Sequence, residues 1–123
     1  MGVATTGGVL VHLTGQVAWD ASEALVGPDD VVAQTEQAFR NIDALLREVG
    51  GAMRDVVNVT TWFVREGDLP AIQTVRARWL DFAPAPASTS VRVAGLGDPR
   101  FLVELTPVAI VPSERFRART RGT

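Results

Sequence analysis

DVVNVTTWFVR, residues 55–65, is β-branched or aromatic at most positions, the composition of a strand in the middle of a sheet. Side chains alternate along a strand, so Val57, Val59 and Phe63 share one face while Val56, Trp62 and Val64 share the other. Both faces are apolar. One can be covered by helices of the same chain, and the other then needs a further partner.

On the N-terminal side, Pro28-Asp29-Asp30 reads as a helix start, with carboxylates in the first turn complementing the helix dipole. Val32, Phe39, Ile42, Leu46 and Val49 then recur at helical spacing, and Gly50-Gly51 ends the element. Glu36, Arg40, Asp43 and Arg47 fall on the opposite, polar side. On the C-terminal side a second helix is expected over residues 68–82, with Ile72, Val75, Trp79 and Phe82 inward and Pro70 tolerated in the first turn. Ala83-Pro84-Ala85-Pro86 makes a stiff extended connection. Strands over 88–94 and from Phe101 onward follow, separated by the loop GLGDP.

At the front of the chain, Val9 to Leu13 reads as a strand, paired through Gly7-Gly8 with a short one over residues 3–6. Residues 15–19 continue extended. The expected fold is therefore α+β: a mixed six-stranded sheet in two layers, with two helices on one face. The uncovered face predicts an oligomer.

Length and composition bound the rest. A chain of 123 residues, 46% apolar and 21% charged, is expected to form one domain over residues 1–113, followed by a basic and flexible tail over 114–123. No apolar run is long enough to span a membrane, and no basic region precedes the first apolar stretch, so a cytoplasmic location is expected. All twelve basic residues are arginine, which removes lysine Schiff-base chemistry. Zero cysteines and one histidine remove thiolate chemistry and an ordinary zinc site, so no metal is expected. Neither GxxxxGK nor GxGxxG occurs.

The chemistry that remains centres on Glu104, in FLVELTPVAIV, residues 101–111. It shares its strand face with Leu102, Thr106 and Val108. A carboxylate on an apolar row is paired, hydrogen-bonded or tuned for acid–base work. Arg92 and Arg100 are the candidate structural partners; a general acid/base or water-holding role is the functional alternative. In PASTSVRVAGL, residues 86–96, Ser88, Ser90 and Arg92 share one face, a set suited to a polar or anionic ligand or simply to solvent. His12, on an apolar strand, fits a structural role, and no serine sits in a nucleophile elbow. Trp19 either covers a pocket or packs.

The segments LTGQVAWDASEALVG, VVAQTEQAFRNIDALLREVG, DVVNVTTWFV, PASTSVRVAGL and FLVELTPVAIV together resemble the RidA/YjgF family, in order, over residues 9–111. The resemblance implies a chorismate-mutase-like fold and a homotrimer with sites in the clefts between subunits. It also implies cofactor-free hydrolysis of reactive imines and enamines to 2-oxo acids and ammonia. Within it, Glu104 matches the glutamate that orients water, and Thr14 and Gly15 match the hydroxyl-plus-backbone element before the family's "GQ".

One departure alters the expectation. The arginine that anchors the substrate carboxylate follows Pro-Ala in the family, and here Ser88 follows Pro86-Ala87. Ser90 stands where cysteine is common. Arg92 has the same parity but lies roughly 13 Å further on. The expected activity is thus hydrolysis of a small-molecule imine or enamine other than the usual 2-imino acids, with Glu104 catalytic and Thr14, Gly15, Trp19, Ser88, Ser90 and Arg92 binding. The alternative is a ligand-binding trimer without catalysis. RNA binding or cleavage, also attributed to the family, has only Arg115, Arg117, Arg119 and Arg121 in its favour on an acidic body, so no nucleic-acid partner is expected.

Overall fold

The computed structural model describes residues 2–118. Four strands and two helices follow one another as β1 (Val9–His12), α1 (Val31–Glu48), β2 (Val56–Phe63), α2 (Leu69–Trp79), β3 (Ala87–Arg92) and β4 (Val103–Val111). The spatial order is β1-β4-β2-β3, antiparallel except for the parallel β2–β3 pair, so the sheet is mixed as expected.

The sheet has four strands among the described residues, and not the expected six. Residues 3–6 form no strand. Residues 15–19 contribute only two single bridging pairs, Gln16 with Leu105 and Trp19 with Leu25. The reason is local. Gly7 and Gly8 both take positive φ, which turns the chain before a ladder can extend, and Trp19 curls back toward Val17 through its own N–H.

Helix α1 starts at Val31, after both of the carboxylates expected in its first turn. Asp30 is the N-cap, its Oδ1 accepting from the Ala33 N–H at 3.1 Å, so no carboxylate lies in the first turn itself. The inward stripe is Val31, Gln34, Thr35, Ala38, Phe39, Ile42 and Leu46, and Val32 is 45% exposed. Gln34 is wholly buried yet satisfied. Its amide donates to the carbonyls of Gly27 and Arg100 and accepts from the Leu102 N–H at 2.9 Å, fixing the entry to β4 against the helix. Helix α2 ends at Trp79, short of Phe82. The Trp79 ring stacks on Phe39 at 5.9 Å and its Nε1–H donates to Glu36, locking the two helices together.

The core lies between helices and sheet. Val59, Phe63, Val103, Leu105 and Ala109 face Phe39, Ile42, Leu46, Ile72 and Val75. A bulge between Val56 and Asn58 places both Val56 and Val57 opposite Ala109, so Val56 joins Val59 and Phe63 in the buried core. The strict alternation read from the sequence fails there. The open face of β2 is consequently Asn58, Thr60 and Trp62, more polar than expected. Leu10, 58% exposed, with Val108 and Ile110 keeps the outer part of that face apolar.

The beginning of the arginine-rich segment is held on the domain. Arg115 forms a two-pronged pair with buried Asp55, at 2.7 and 3.0 Å, and its Nη1 also donates to the Gly50 carbonyl. The Arg117 N–H donates to the Val49 carbonyl and its side chain to that of Arg47. Gly50, at φ 81°, is what allows the approach: a side chain there would run into the Arg115 carbonyl. Arg119 and Arg121, and the last part of the expected tail, lie outside the described residues.

Candidate active site

Glu104 projects from β4 onto the open face, in register with Trp62 of β2. Its neighbours on that face are Thr106, whose hydroxyl accepts from the Trp62 Nε1–H at 3.0 Å, and Thr60. Neither expected structural partner reaches it. Arg100 is tied to Asp98 through both its Nε and its Nη2, and the Arg92 Nε donates to the Val64 carbonyl. No described residue donates a hydrogen bond to the Glu104 carboxylate, which stands half-buried against the backbone of Gly15.

Gly15 makes that arrangement possible. A Cβ there would overlap the carboxylate of Glu104. The residue after it is sewn to β4 by two backbone bonds, from the Gln16 N–H to the Leu105 carbonyl at 2.7 Å and from the Leu105 N–H to the Gln16 carbonyl at 2.9 Å. The Gln16 side chain donates to the Thr14 carbonyl and stiffens the same turn. Gly15 is therefore brought against Glu104, with Thr14 its neighbour in the same turn.

The other expected binding residues lie elsewhere. Ser88 and Ser90 pair in register with Val59 and Thr61, whose side chains are buried toward the helices, so both serines face the α layer. Two strand spacings and a three-residue offset put Ser88 roughly 14 Å from Glu104 along the sheet, on its opposite side. Arg92 ends the strand with its guanidinium on the Val64 carbonyl, which removes it from the Glu104 cluster. Trp19 packs edge-on against Phe101 at 5.0 Å beneath the Arg100 guanidinium, while Asn41 donates to the carbonyls of Val17 and Trp19. It braces the loop after Gln16 against α1.

One further residue stands on the serine side. Arg76 projects from α2 toward β3, its Nη1 donating to Thr61 Oγ1 at 3.2 Å and to Ser90 Oγ at 3.3 Å. It is half-buried, and that burial lowers its pKa from the ordinary arginine value. No carboxylate among the described residues pairs with it. A cleft of about 270 Å³ opens beside it, lined by Gln73, Ala77, Leu80, Ala85, Pro86 and Ser88. A second hollow shares Ala85, Pro86 and Ser88 and continues toward Ala87 and Pro84, where the Ala83–Pro84 peptide is cis. The signal for Arg76 was present in the sequence. It falls within the inward stripe Ile72, Val75, Arg76, Trp79, the same kind of charge on an apolar row that singled out Glu104.

Among the described residues no group of three or more His, Cys, Asp or Glu side chains converges as a metal site would require, and no helix is long and apolar enough to cross a membrane. Residues 3–111 match the family described as Endoribonuclease L-PSP. The fold superposes on the crystal structure of YyfB from Yersinia pestis, a protein of unknown function of the conserved Rid family, with a TM-score of 0.81 and 34% identity over 89% of this chain and 84% of that one. Among curated relatives, the 3-aminoacrylate deaminase RutC of Acinetobacter baylyi is 33% identical over 109 residues, 88% of this chain and 84% of its own. The 2-iminobutanoate/2-iminopropanoate deaminase of Dermatophagoides farinae is 34% identical over 91 residues, 72% and 69% of the two chains. The chain is a member of the Endoribonuclease L-PSP family, to which the RidA/YjgF and RutC proteins belong.

Proposed function

We propose that this protein hydrolyses a small imine or enamine metabolite to the corresponding carbonyl compound and ammonia, with Glu104 as the group that handles water and proton. The observation that carries the reading is the Glu104 carboxylate, half-buried against Gly15 with no protein hydrogen-bond donor among the described residues. A half-buried carboxylate without a protein donor is available to a water or a substrate. The two deaminases among the relatives act on substrates of this class by name.

The chemistry is economical. An enamine tautomerises to its imine, whose carbon is electrophilic once the nitrogen is protonated. Water adds to that carbon while Glu104 accepts one of its protons, which gives a carbinolamine. The proton then returns to the nitrogen, the C–N bond breaks with its electron pair leaving on nitrogen while the carbinolamine hydroxyl gives its proton to Glu104, and ammonia and a carbonyl remain. Positioning accounts for most of what the protein must supply.

Glu104 and the serine-side cleft lie on opposite faces of one sheet, and a single chain cannot bring them to one substrate. A homotrimer in which edge strand β3 of one subunit borders the open face of the next would do so, and it would also cover Leu10, Val108 and Ile110. Ser88 in place of an arginine favours a substrate other than the simple 2-imino acids, and it equally supports the second reading, a trimer that binds its ligand without turnover. A nucleic-acid role loses part of its support, since the charge of Arg115 is paired with Asp55.

Ammonia release from 2-aminoacrylate, 2-iminobutanoate and 3-aminoacrylate, each generated enzymatically in place, tests the reading against the spontaneous rate. Acceleration of at least one of them is expected, falling about 10²- to 10⁴-fold in Glu104→Gln while the trimer persists. No acceleration of any, or equal rates in Glu104→Gln, would leave the binding protein as the reading to keep.

A further inference from the structure

The guanidinium of Arg76 is, among the described residues, the other half-buried charge whose surroundings are incomplete. An arginine presents five N–H donors in one plane. Only Nη1 is engaged, by the hydroxyls of Thr61 and Ser90, and these are neutral acceptors. The edge formed by Nε and Nη2 has no acceptor among the described residues. That edge has the spacing of a carboxylate, which it binds through two parallel hydrogen bonds. A half-buried cation without a carboxylate is a poor structural element, because desolvation disfavours its charge and nothing returns the loss. The buried Asp55, by contrast, is satisfied by Arg115 and by the Ala52 N–H.

The cavity beside Arg76 narrows the chemistry. Its walls are apolar at Ala77, Leu80, Ala85 and Pro86, and polar at Gln73 and Ser88. At about 270 Å³ it is below the usual range for drug-sized ligands and cofactors, which leaves room for a small metabolite. Thr61 and Ser90 hold the guanidinium from the sheet side, which fixes its plane and lowers the entropy lost on binding.

We propose that Arg76 is the anion anchor of this cleft, and that the cleft takes a small monocarboxylate with a short hydrocarbon body, its carboxylate on the Nε–Nη2 edge and its chain against Ala77, Leu80 and Pro86. The inference deepens the functional reading above and rests on it for the identity of the bound molecule as a substrate. The anchor comes from α2 and not from β3. The carboxylate is thereby reached from the helix side, with Ser88 small enough to leave the approach open.

Calorimetric titration of the intact oligomer with 2-oxobutanoate, and with the neutral 2-oxobutanamide as control, tests it. The wild type is expected to bind the acid and to bind the amide at least about 10-fold more weakly. Arg76→Ala should weaken the acid by at least about 10-fold and leave the amide unchanged. Arg76→Lys, which keeps the charge and loses the fork, should fall between and separate loss of the anchor from loss of folding. Turnover is read separately: Arg76-dependent binding of the acid by a protein that accelerates no imine hydrolysis would sink the catalytic reading and leave this one standing, so the two failures are distinguishable. No binding of the acid by the wild type, or equal binding by a folded Arg76→Ala or Arg76→Lys, overturns the proposal.

Discussion

The carboxylates of Asp55 and Glu104 meet opposite fates in one small domain. Asp55 accepts from the Ala52 N–H at 2.8 Å and from both terminal nitrogens of Arg115, and is 8% exposed. Glu104 lies half-buried beside Gly15 with no donor among the described residues. The first carboxylate holds the C-terminal segment across the end of α1, where Gly50 lets it pass. The second faces the side of the sheet that the helices leave open. The first carboxylate is part of the architecture, and the second is the one that the proposed function assigns to a water or a substrate.

Gly15→Ala presses on that contrast hardest. The backbone at residue 15 is not left-handed, so alanine brings no φ strain, and the nearest atoms in its way belong to the Glu104 side chain. That side chain can swing aside. Turnover is expected to fall about 100-fold, the order of effect that a displacement near 1 Å produces, with the melting temperature almost unmoved. A large loss of stability with activity preserved in the remaining folded protein would show that Gly15 serves packing and not the position of the carboxylate.

Asp55→Ala tests the other half. It strands the Ala52 N–H and the Arg115 guanidinium together, and a cost of about 1–3 kcal/mol in chemical denaturation is expected. Kinetic constants should stay as they are, because Asp55 lies at the start of β2 and Glu104 pairs with Trp62 near its other end. A fall in activity without a fall in stability would erase the division between the two carboxylates.

How much of this was legible in the sequence depended on how far each feature reaches along the chain. Both helices and the central strand rest on periodicity and local chemistry, whereas Gly15 came to notice only through the family resemblance. The bulge at Val56–Asn58 rests on the register against β4, set by residues about fifty positions away, and it moved Val56 into the core. Gln34 drew no attention in the sequence, because its partners include Arg100 and Leu102, 66 and 68 residues on. The face of β3 was read correctly, with Ser88, Ser90 and Arg92 together. Which way that face pointed was a matter of sheet order, and it turned the serines toward Arg76 and away from Glu104.

The smallest expected effect belongs to a pair that resembles Asp55–Arg115 in geometry and differs from it in solvent. Asp98 accepts from the Arg100 N–H at 2.8 Å and from its Nε and Nη2, and these bonds hold its carboxyl at about 2, below the ordinary value of 3.8. A folded-state pKa below the unfolded one means that the contribution is complete above the unfolded value and is lost as pH falls from about 4 through about 2. Side-chain NMR should find Asp98 titrating near 2 in the wild type and returning toward its ordinary value in Arg100→Ala. The stability of that variant near neutral pH should barely change, since the pair is solvent-exposed and screened. A marked loss would mean that the Arg100 guanidinium over Trp19, and through it the loop that follows Gly15, carries more of the site's order than the ion pair does.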